Sequence, residues 1–492
     1  MKTALVSDPR ASPGEAEPRR WSPPLVVGLA ACVLAGAAIA ALRTAAGLDL
    51  YVPLATCGRL GAAAPIVIRN VRLLSPPDWK PGEPVDVRVE RGAIGSVSAA
   101  GAIDGSPGER VIDGGGRVMS GGLCDVEVAS VFRTATRHPL PLDVYRISLS
   151  AQVRSGVTAV RDLGSPPAAG VRLARAVGGT VLGASIERGS PWITPGDPAP
   201  DALDPGAHPL EGLALHSPAE AEPLVAELAA SGSRWLAISV PPDGLAQEDV
   251  RARLDALARA AHAHGLRLAV RALDPAAFDW ALAVDAASID GFAAFSADLT
   301  ADEAERLAAR RVTVVPVAHL ARVRDIGSDG AYERDRQTRT IGRASLWGAL
   351  ARIDHQVRTA QLDPAAVVRA RERNERWKSN LARLVAARVP VAMGSGAPAA
   401  FAFHERPADE LEELALSGLT GGALLESAIE NGARLLTGDD ASATIAVGRA
   451  ANLVVWECDP GADAACFERP RLVMAGGHVV DGRPTAPARP FL

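Results

Sequence analysis

Three observations predict an α/β chain: a parallel (β/α)8 barrel with a small β-sandwich built from both chain ends, preceded by one transmembrane helix. From residue 121 to about 440, short apolar runs alternate with amphipathic helical stretches, the order that produces parallel strands joined by crossover helices. Strand-like segments rich in β-branched residues lie on both sides of that region, over 65–119 and 450–482. Ahead of them Leu25 to Leu42 form an uncharged apolar run.

The elements follow in chain order. A helix over 25–42 would span roughly 27 Å, close to the hydrocarbon thickness of a bilayer. Lys2, Arg10, Arg19 and Arg20 precede it and Arg43 follows, so the positive-inside rule leaves the tail 1–24 in the cytoplasm and the bulk of the chain periplasmic or extracellular. A cleaved leader giving a secreted form is the alternative, through the small residues near Ala38 to Ala41. A lipoprotein site at Cys57 is a weaker one, because Thr56 is unusual before such a cysteine. After a linker, 43–64, the first part of the sandwich covers 65–120. It contains PIVIRNVRLL (65–74), a hairpin turning at Gly92 within 85–98, and ERVIDGGGRVM (109–119). The barrel, 121–440, contributes TAVRDL (158–163), WLAISV (235–240), LRLAVRA (266–272), ASID (287–290), VTVVPVA (312–318) and VPVAMGS (389–395) as strands. Between the second and third, 247–265 repeats apolar residues at helical spacing and stops at Gly265. AANLVVWEC (450–458) and RLVMAGGHVVDG (471–482) return to strand patterning and complete the sandwich over 441–492.

The formal net charge of -5, with no cluster of basic residues interleaved with aromatics, excludes nucleic acid as an expected partner. Lys2, Lys80 and Lys378 are the only lysines, so arginine supplies nearly all 52 basic residues. Of five cysteines, Cys458 and Cys466 flank a short loop with Pro and Gly. In an oxidising compartment they could close a disulfide worth roughly 2–3 kcal/mol, or they remain two thiols. No Gly-x-Ser-x-Gly elbow leads into a helix, and Cys124 lies in an apolar strand rather than an electropositive cleft.

In order along the chain come VIDGGGRVMSGGLCD (111–125), SGVTAVRDLG (155–164), AHAHGLRLAV (261–270), VPVAMGSG (389–396), LLESAIENGARLLTG (424–438) and GRAANLVVWECDP (448–460). This succession resembles the amidohydrolase superfamily, imidazolonepropionase-like and prolidase-like members above all, over roughly 65–485. The resemblance implies a TIM-like barrel whose strand ends carry a His-x-His pair, a bridging lysine or glutamate, two more histidines and an aspartate. Zinc or another divalent metal held there would activate water for hydrolysis of a carbon–nitrogen bond.

This chain departs from that pattern position by position. Glu127 and Ala129 stand where the His-x-His pair would be, and Ala237 where the lysine would be. Arg271 and Asp290 take the places of the later histidines, and Gly394-Ser395-Gly396 that of the final Gly-Thr-Asp. No cofactor is therefore expected. His262 and His264 are the one His-x-His in the chain, but at the end of a helix such a pair points apart and cannot close on one ion. Arg271 stays protonated and would repel a cation, whereas paired with Glu127 or Asp290 it would stabilise the barrel mouth or receive an anionic ligand.

Two functions remain open, beside the blander case of a decayed relative with a purely structural role. The first is a membrane-anchored, non-catalytic binding or scaffolding protein, with a small molecule or protein as partner and a homo-oligomer as one form of assembly. The second is a hydrolase of carbon–nitrogen bonds that uses Glu127, Asp290, His319 and His404 as a rearranged carboxylate/histidine site. Asp125 and Asp162 are expected to hold strand ends through backbone hydrogen bonds.

Overall fold

The computed structural model describes residues 65–480 apart from 107, 131–148, 150, 178–181, 197–212, 327–363, 398–401, 403 and 440–442. The expected tail, membrane helix and linker lie outside the described residues. Among those described, no helix is long and apolar enough to cross a membrane.

The first strands follow the apolar alternation. β1 (Ile66–Leu73) pairs antiparallel with β2 (Pro84–Glu90), which turns back at Arg91 and Gly92 into β3 (Ala93–Ala99). Arg91 and Gly92 both have positive φ, the conformation that tight hairpins demand. β4 (Arg110–Asp113) and β5 (Val118–Gly121) add parallel to β1.

The chain then enters its alternating region, with β6 (Leu123–Val128), β7 (Val157–Asp162), α1 (Pro167–Val177), β8 (Ser185–Arg188), β9 (Ile193–Thr194), β10 (Leu213–Ala214) and α2 (Ala221–Ala230). It continues through β11 (Trp235–Ser239), α3 (Glu248–Ala263), β12 (Arg267–Arg271), α4 (Pro275–Ala283), β13 (Ser288–Asp290), α5 (Ala301–Ala309) and β14 (Thr313–Val315). α6 (Ala318–Ile326), α7 (Pro364–Ala386) and α8 (Pro407–Leu416) follow, and Gly422–Leu425 continues through a wider turn, Glu426–Glu430, into α9 (Asn431–Thr437).

All pairings within this region are parallel: β6–β7–β8 in one sheet, and β10–β9–β11–β12–β13–β14 in another. Parallel bridges join Gly189 to Trp235, Val314 to Val391 and Val128 to Ala397. Followed from β6 through β7, β8, β11, β12, β13, β14 and segment 391–397, the pairings return to β6.

β15 (Leu453–Trp456), β16 (Pro470–Ala475) and β17 (His478–Val480) close the chain. β15 pairs with β5, so strands from before and after the alternating region form one eight-stranded sheet. The sheet curls on itself: Val87, Val89 and Ile94 share an apolar cluster with Leu453, Val455, Leu472 and Met474. The intervening residues Val454, Trp456, Val473 and Ala475 join the main core instead. Side chains alternate across a strand, so β15 and β16 are buried on both faces, which explains their nearly continuous apolar runs.

Two expected strands end differently. VTVVPVA stops at Val315, because Pro316 lacks an amide N–H to continue a ladder and Val317 has a φ of 54°. His319 consequently lies in the first turn of α6 rather than at a strand end. In VPVAMGS the ladder reduces to the bridge at Val391. The next segment passes close to β6, where a side chain at Gly394 would come within 3.0 Å of the Glu127 Cβ and 2.5 Å of Val315.

Candidate functional site

Four charged side chains meet where parallel strands of this region end. Arg271 and Asp290 are the last residues of β12 and β13, Arg161 is next to last in β7, and Glu127 is next to last in β6. All four are buried, Arg161 and Asp290 completely. Arg271 donates from Nη2 to Glu127 Oε1 at 2.8 Å. Arg161 donates from Nη2 to Asp290 Oδ1, from Nη1 to Ser288 Oγ at 2.8 Å, and from Nε to the Val126 carbonyl at 2.6 Å. Ser288 in turn donates to Asp290 Oδ2 at 2.6 Å.

Two indoles back the guanidiniums. Arg271 lies 4.0 Å from the centre of the Trp192 ring and Arg161 4.5 Å from that of Trp235, contacts in which the aromatic face supplies favourable charge. Burial raises the proton affinity of both carboxyls, opposed by Arg271 at Glu127 and by Arg161 at Asp290. With two arginines, which stay charged, and two acids, the group is neutral when both acids are ionised.

The acids singled out as strand-end anchors are occupied by local hydrogen bonds. Asp125 accepts from Ser395 N at 2.9 Å and Ser395 Oγ at 2.5 Å. Asp162 accepts from Gly164 N at 3.2 Å, from Ser165 N at 3.0 Å and from Ser165 Oγ at 2.5 Å. Burial still pushes the Asp125 carboxyl up to about 6.

His404 is buried, with Gln152 Nε2 2.7 Å from its Nδ1. Burial pushes this imidazole down to about 4, against a hydrogen bond to the Ala129 main chain. The ring is thus neutral, with Nδ1 accepting from Gln152. The His319 main-chain N–H donates to Glu410 Oε2 at 2.6 Å, and Ala318 N–H to Glu410 Oε1 at 2.9 Å. Glu410, from α8, therefore caps α6, and burial pushes its carboxyl up to about 8.

The structure thus brings Glu127, Arg271 and Asp290 together, adds Arg161, and engages His319 and His404 with other partners. Sequence reasoning missed Arg161, although the adjacent Asp162 drew notice. Its signal was an arginine inside the apolar strand VTAVRD, a position that is seldom filled without a buried acid nearby. Glu410 was missed as well, since nothing local in PADELEELAL marks that acid as buried.

The divalent metal implied by the resemblance does not fit these residues. Glu127 and Asp290 each already face a guanidinium, and two fixed positive charges would repel a cation there. Glu127 Oε2 is the one carboxylate oxygen of the four without a hydrogen-bond partner among the described residues. Among those residues no three His, Cys, Asp or Glu side chains gather to hold an ion. His262 is exposed, and His264 Nε2 contacts Glu222 at 2.8 Å. Lys80 is exposed and Lys378 pairs with Glu375 at 2.9 Å on α7. Burial pushes the Cys124 thiol up to about 12, which leaves it unreactive. Cys458 and Cys466 are joined in a disulfide with a Cα–Cα separation of 5.6 Å.

No protein-family model matches the chain, and no curated protein matches it by sequence. Solved structures do match. A prolidase-like structure from Bifidobacterium longum superposes with a TM-score of 0.66 at 18% identity, over 86% of this chain and 96% of that one. A Xaa-Pro dipeptidase with methionine in its active site gives 0.65 at 17% identity, over 85% of this chain and 100% of its own. Molinate hydrolase gives 0.64 at 18%, over 88% and 97%. The chain accordingly has the mixed α/β fold of prolidase-like and amidohydrolase structures, the superfamily that its motif order resembles.

Proposed function

We propose that this chain is an amidohydrolase-superfamily (β/α)8 barrel whose metal cup has been replaced by two buried ion pairs, and that it binds a small molecule or protein without metal-dependent hydrolysis. The ring of parallel pairings supports the barrel. One observation carries the functional reading: Glu127, Arg271 and Asp290 stand at strand ends where the resemblance places metal ligands, and they are ion-paired there, Glu127 with Arg271 and Asp290 with Arg161. Removing an ion from a hydrolase of that kind leaves acids or histidines waiting for it, whereas here the acids already have cationic partners. The test is metal analysis of the purified full-length chain, with amide and dipeptide hydrolysis measured before and after chelation. Substoichiometric metal and no chelator-sensitive turnover are expected. Tightly held zinc whose removal abolishes turnover would refute the reading.

A second reading is favoured by Glu127 itself. Its free Oε2 and burial-raised proton affinity suit a general acid for cleaving a carbon–nitrogen bond, the class of chemistry that the neighbouring hydrolases suggest. Chelator-resistant turnover abolished by Glu127→Gln would select it. The apolar run 25–42 is proposed as an N-terminal anchor that leaves the bulk of the chain outside the cytoplasm; carbonate extraction of membranes from expressing cells tests this, and release of the chain would count against it.

A further inference from the structure

At the opposite ends of the same strands, arginines converge on a cavity of about 350 Å³. Its wall contains Arg267, the first residue of β12, together with Arg310 and Arg311 after α5 and Arg434 on α9. Among the described residues, Asp285 is the only acidic one lining it. With a rise of roughly 3.3 Å per residue, the four steps from Arg267 to Arg271 separate those two backbone positions by about 13 Å. The cavity thus opens at the other end of β12 from Arg271, with the Trp235 ring 4.0 Å from the Arg267 guanidinium and 4.5 Å from that of Arg161.

Of the four guanidiniums, only that of Arg434 has an acid partner among the described residues. Arg434 donates to Glu430 at 2.8 Å. Arg267 and Arg310 each donate to a main-chain carbonyl, those of Leu435 and Leu282. Those carbonyls end α9 and α4, where a cation is favourable. A guanidinium has five donors, however, so one bond of this kind leaves most of its capacity unused. Arg267, Arg310 and Arg311 have no carboxylate partner among the described residues. Burial above all, then the nearby Arg161, pushes the Arg267 guanidinium down to about 10, with Glu187 acting the other way. The cavity size falls in the range of small-ligand pockets, and planar N–H forks match oxyanions bidentately.

We propose that this cavity binds a small, multiply charged oxyanion, carrying phosphate or carboxylate groups, through Arg267, Arg310, Arg311 and Arg434. The test is calorimetric titration of the full-length chain at low ionic strength with inorganic phosphate, pyrophosphate and citrate. The comparison of pyrophosphate with citrate separates phosphate from carboxylate ligands. Saturable binding of at least one is expected, weakening with salt and falling at least about tenfold in the Arg310→Ala/Arg311→Asn variant. Asn tolerates the positive φ of 51° at position 311. Arg369→Ala, an exposed arginine on α7, is expected to leave binding unchanged. If the double variant does not fold, Arg311→Asn alone is expected to weaken binding several-fold, since removing that side chain breaks no hydrogen bond among the described residues. No saturable binding of any of the three anions, or a loss no greater than in Arg369→Ala, would overturn the proposal.

Discussion

Placing an arginine entirely out of water is costly unless its donors find acceptors; Arg161 places three of its five at Val126, Ser288 and Asp290 and stacks on the Trp235 ring. Truncating one partner strands the other. Arg161→Ala is expected to lower unfolding free energy by about 3–5 kcal/mol in urea titrations. The Arg161→Met/Asp290→Leu double variant should lose less than Arg161→Ala, because no lone charge remains; a larger loss would mean that the ion pair itself stabilises the strand ends.

Acidity at Glu410 gives a second residue-level expectation. Its folded value of about 8 exceeds the ordinary 4.5, so the folded chain holds that proton more tightly. The resulting stability is complete below pH 4.5 and is lost as pH rises through 8. Glu127 is raised in the same sense. His404 works oppositely, but only between its folded value of about 4 and its ordinary 6.5. From pH 6.5 to 8, stability should therefore decline, by at most about 1.4 kcal/mol per pH unit for each proton released. Glu410→Gln should flatten that decline in chemical unfolding measured across the window; an unchanged slope would remove Glu410 as its source.

Among the elements, helices were the easiest to read. α3 (Glu248–Ala263) falls inside the expected 247–265 because its buried residues, among them Val250, Leu254, Leu257 and Ala261, recur at helical spacing. α5 starts at a capping box, Thr300 accepting from Glu303 N at 3.2 Å and Glu303 accepting from Thr300 N at 2.7 Å. Thr300→Ala should cost about 1 kcal/mol in thermal unfolding. β8, β9 and β10 escaped the sequence reading because two to four residues are too few to show a period.

The disulfide is also an element-scale device, since it closes the loop leading into the turn Ala464–Glu468 that packs beside α8. Arg406, just ahead of α8, reinforces that contact by donating to Glu468 at 2.8 Å. Reducing the bond, or making the Cys458→Ser/Cys466→Ser variant, should cost about 2–3 kcal/mol. Equal melting temperatures with and without reductant would contradict this.

For the described residues as a whole, the strands on either side of the alternating region are inseparable from the core between them. Trp456 packs edge-on against Phe467 at 5.4 Å and donates to Ser120 Oγ at 2.9 Å, which ties β15 to β5. Truncation before β15 would expose the β5 edge and the apolar face beneath it. The shortened chain should therefore aggregate, as judged by size-exclusion chromatography; a soluble, cooperatively folded product would show that the alternating region stands alone.

The alternation of apolar runs with helices, the strands on both sides of it, the hairpin at Gly92 and the residue types at Glu127, Ala129, Arg271 and Asp290 were determined by the sequence itself. These are local facts, since side-chain period and residue type can be read within a few neighbours. Only the tertiary structure decided that Arg271 takes Glu127 and that Arg161 takes Asp290, partners 144 and 129 residues apart. Strand order around the sheet sets which charges meet, and no local pattern encodes a distance across it. The same reason hid the arginine-lined cavity at the far end, whose four guanidiniums come from three separate stretches of chain.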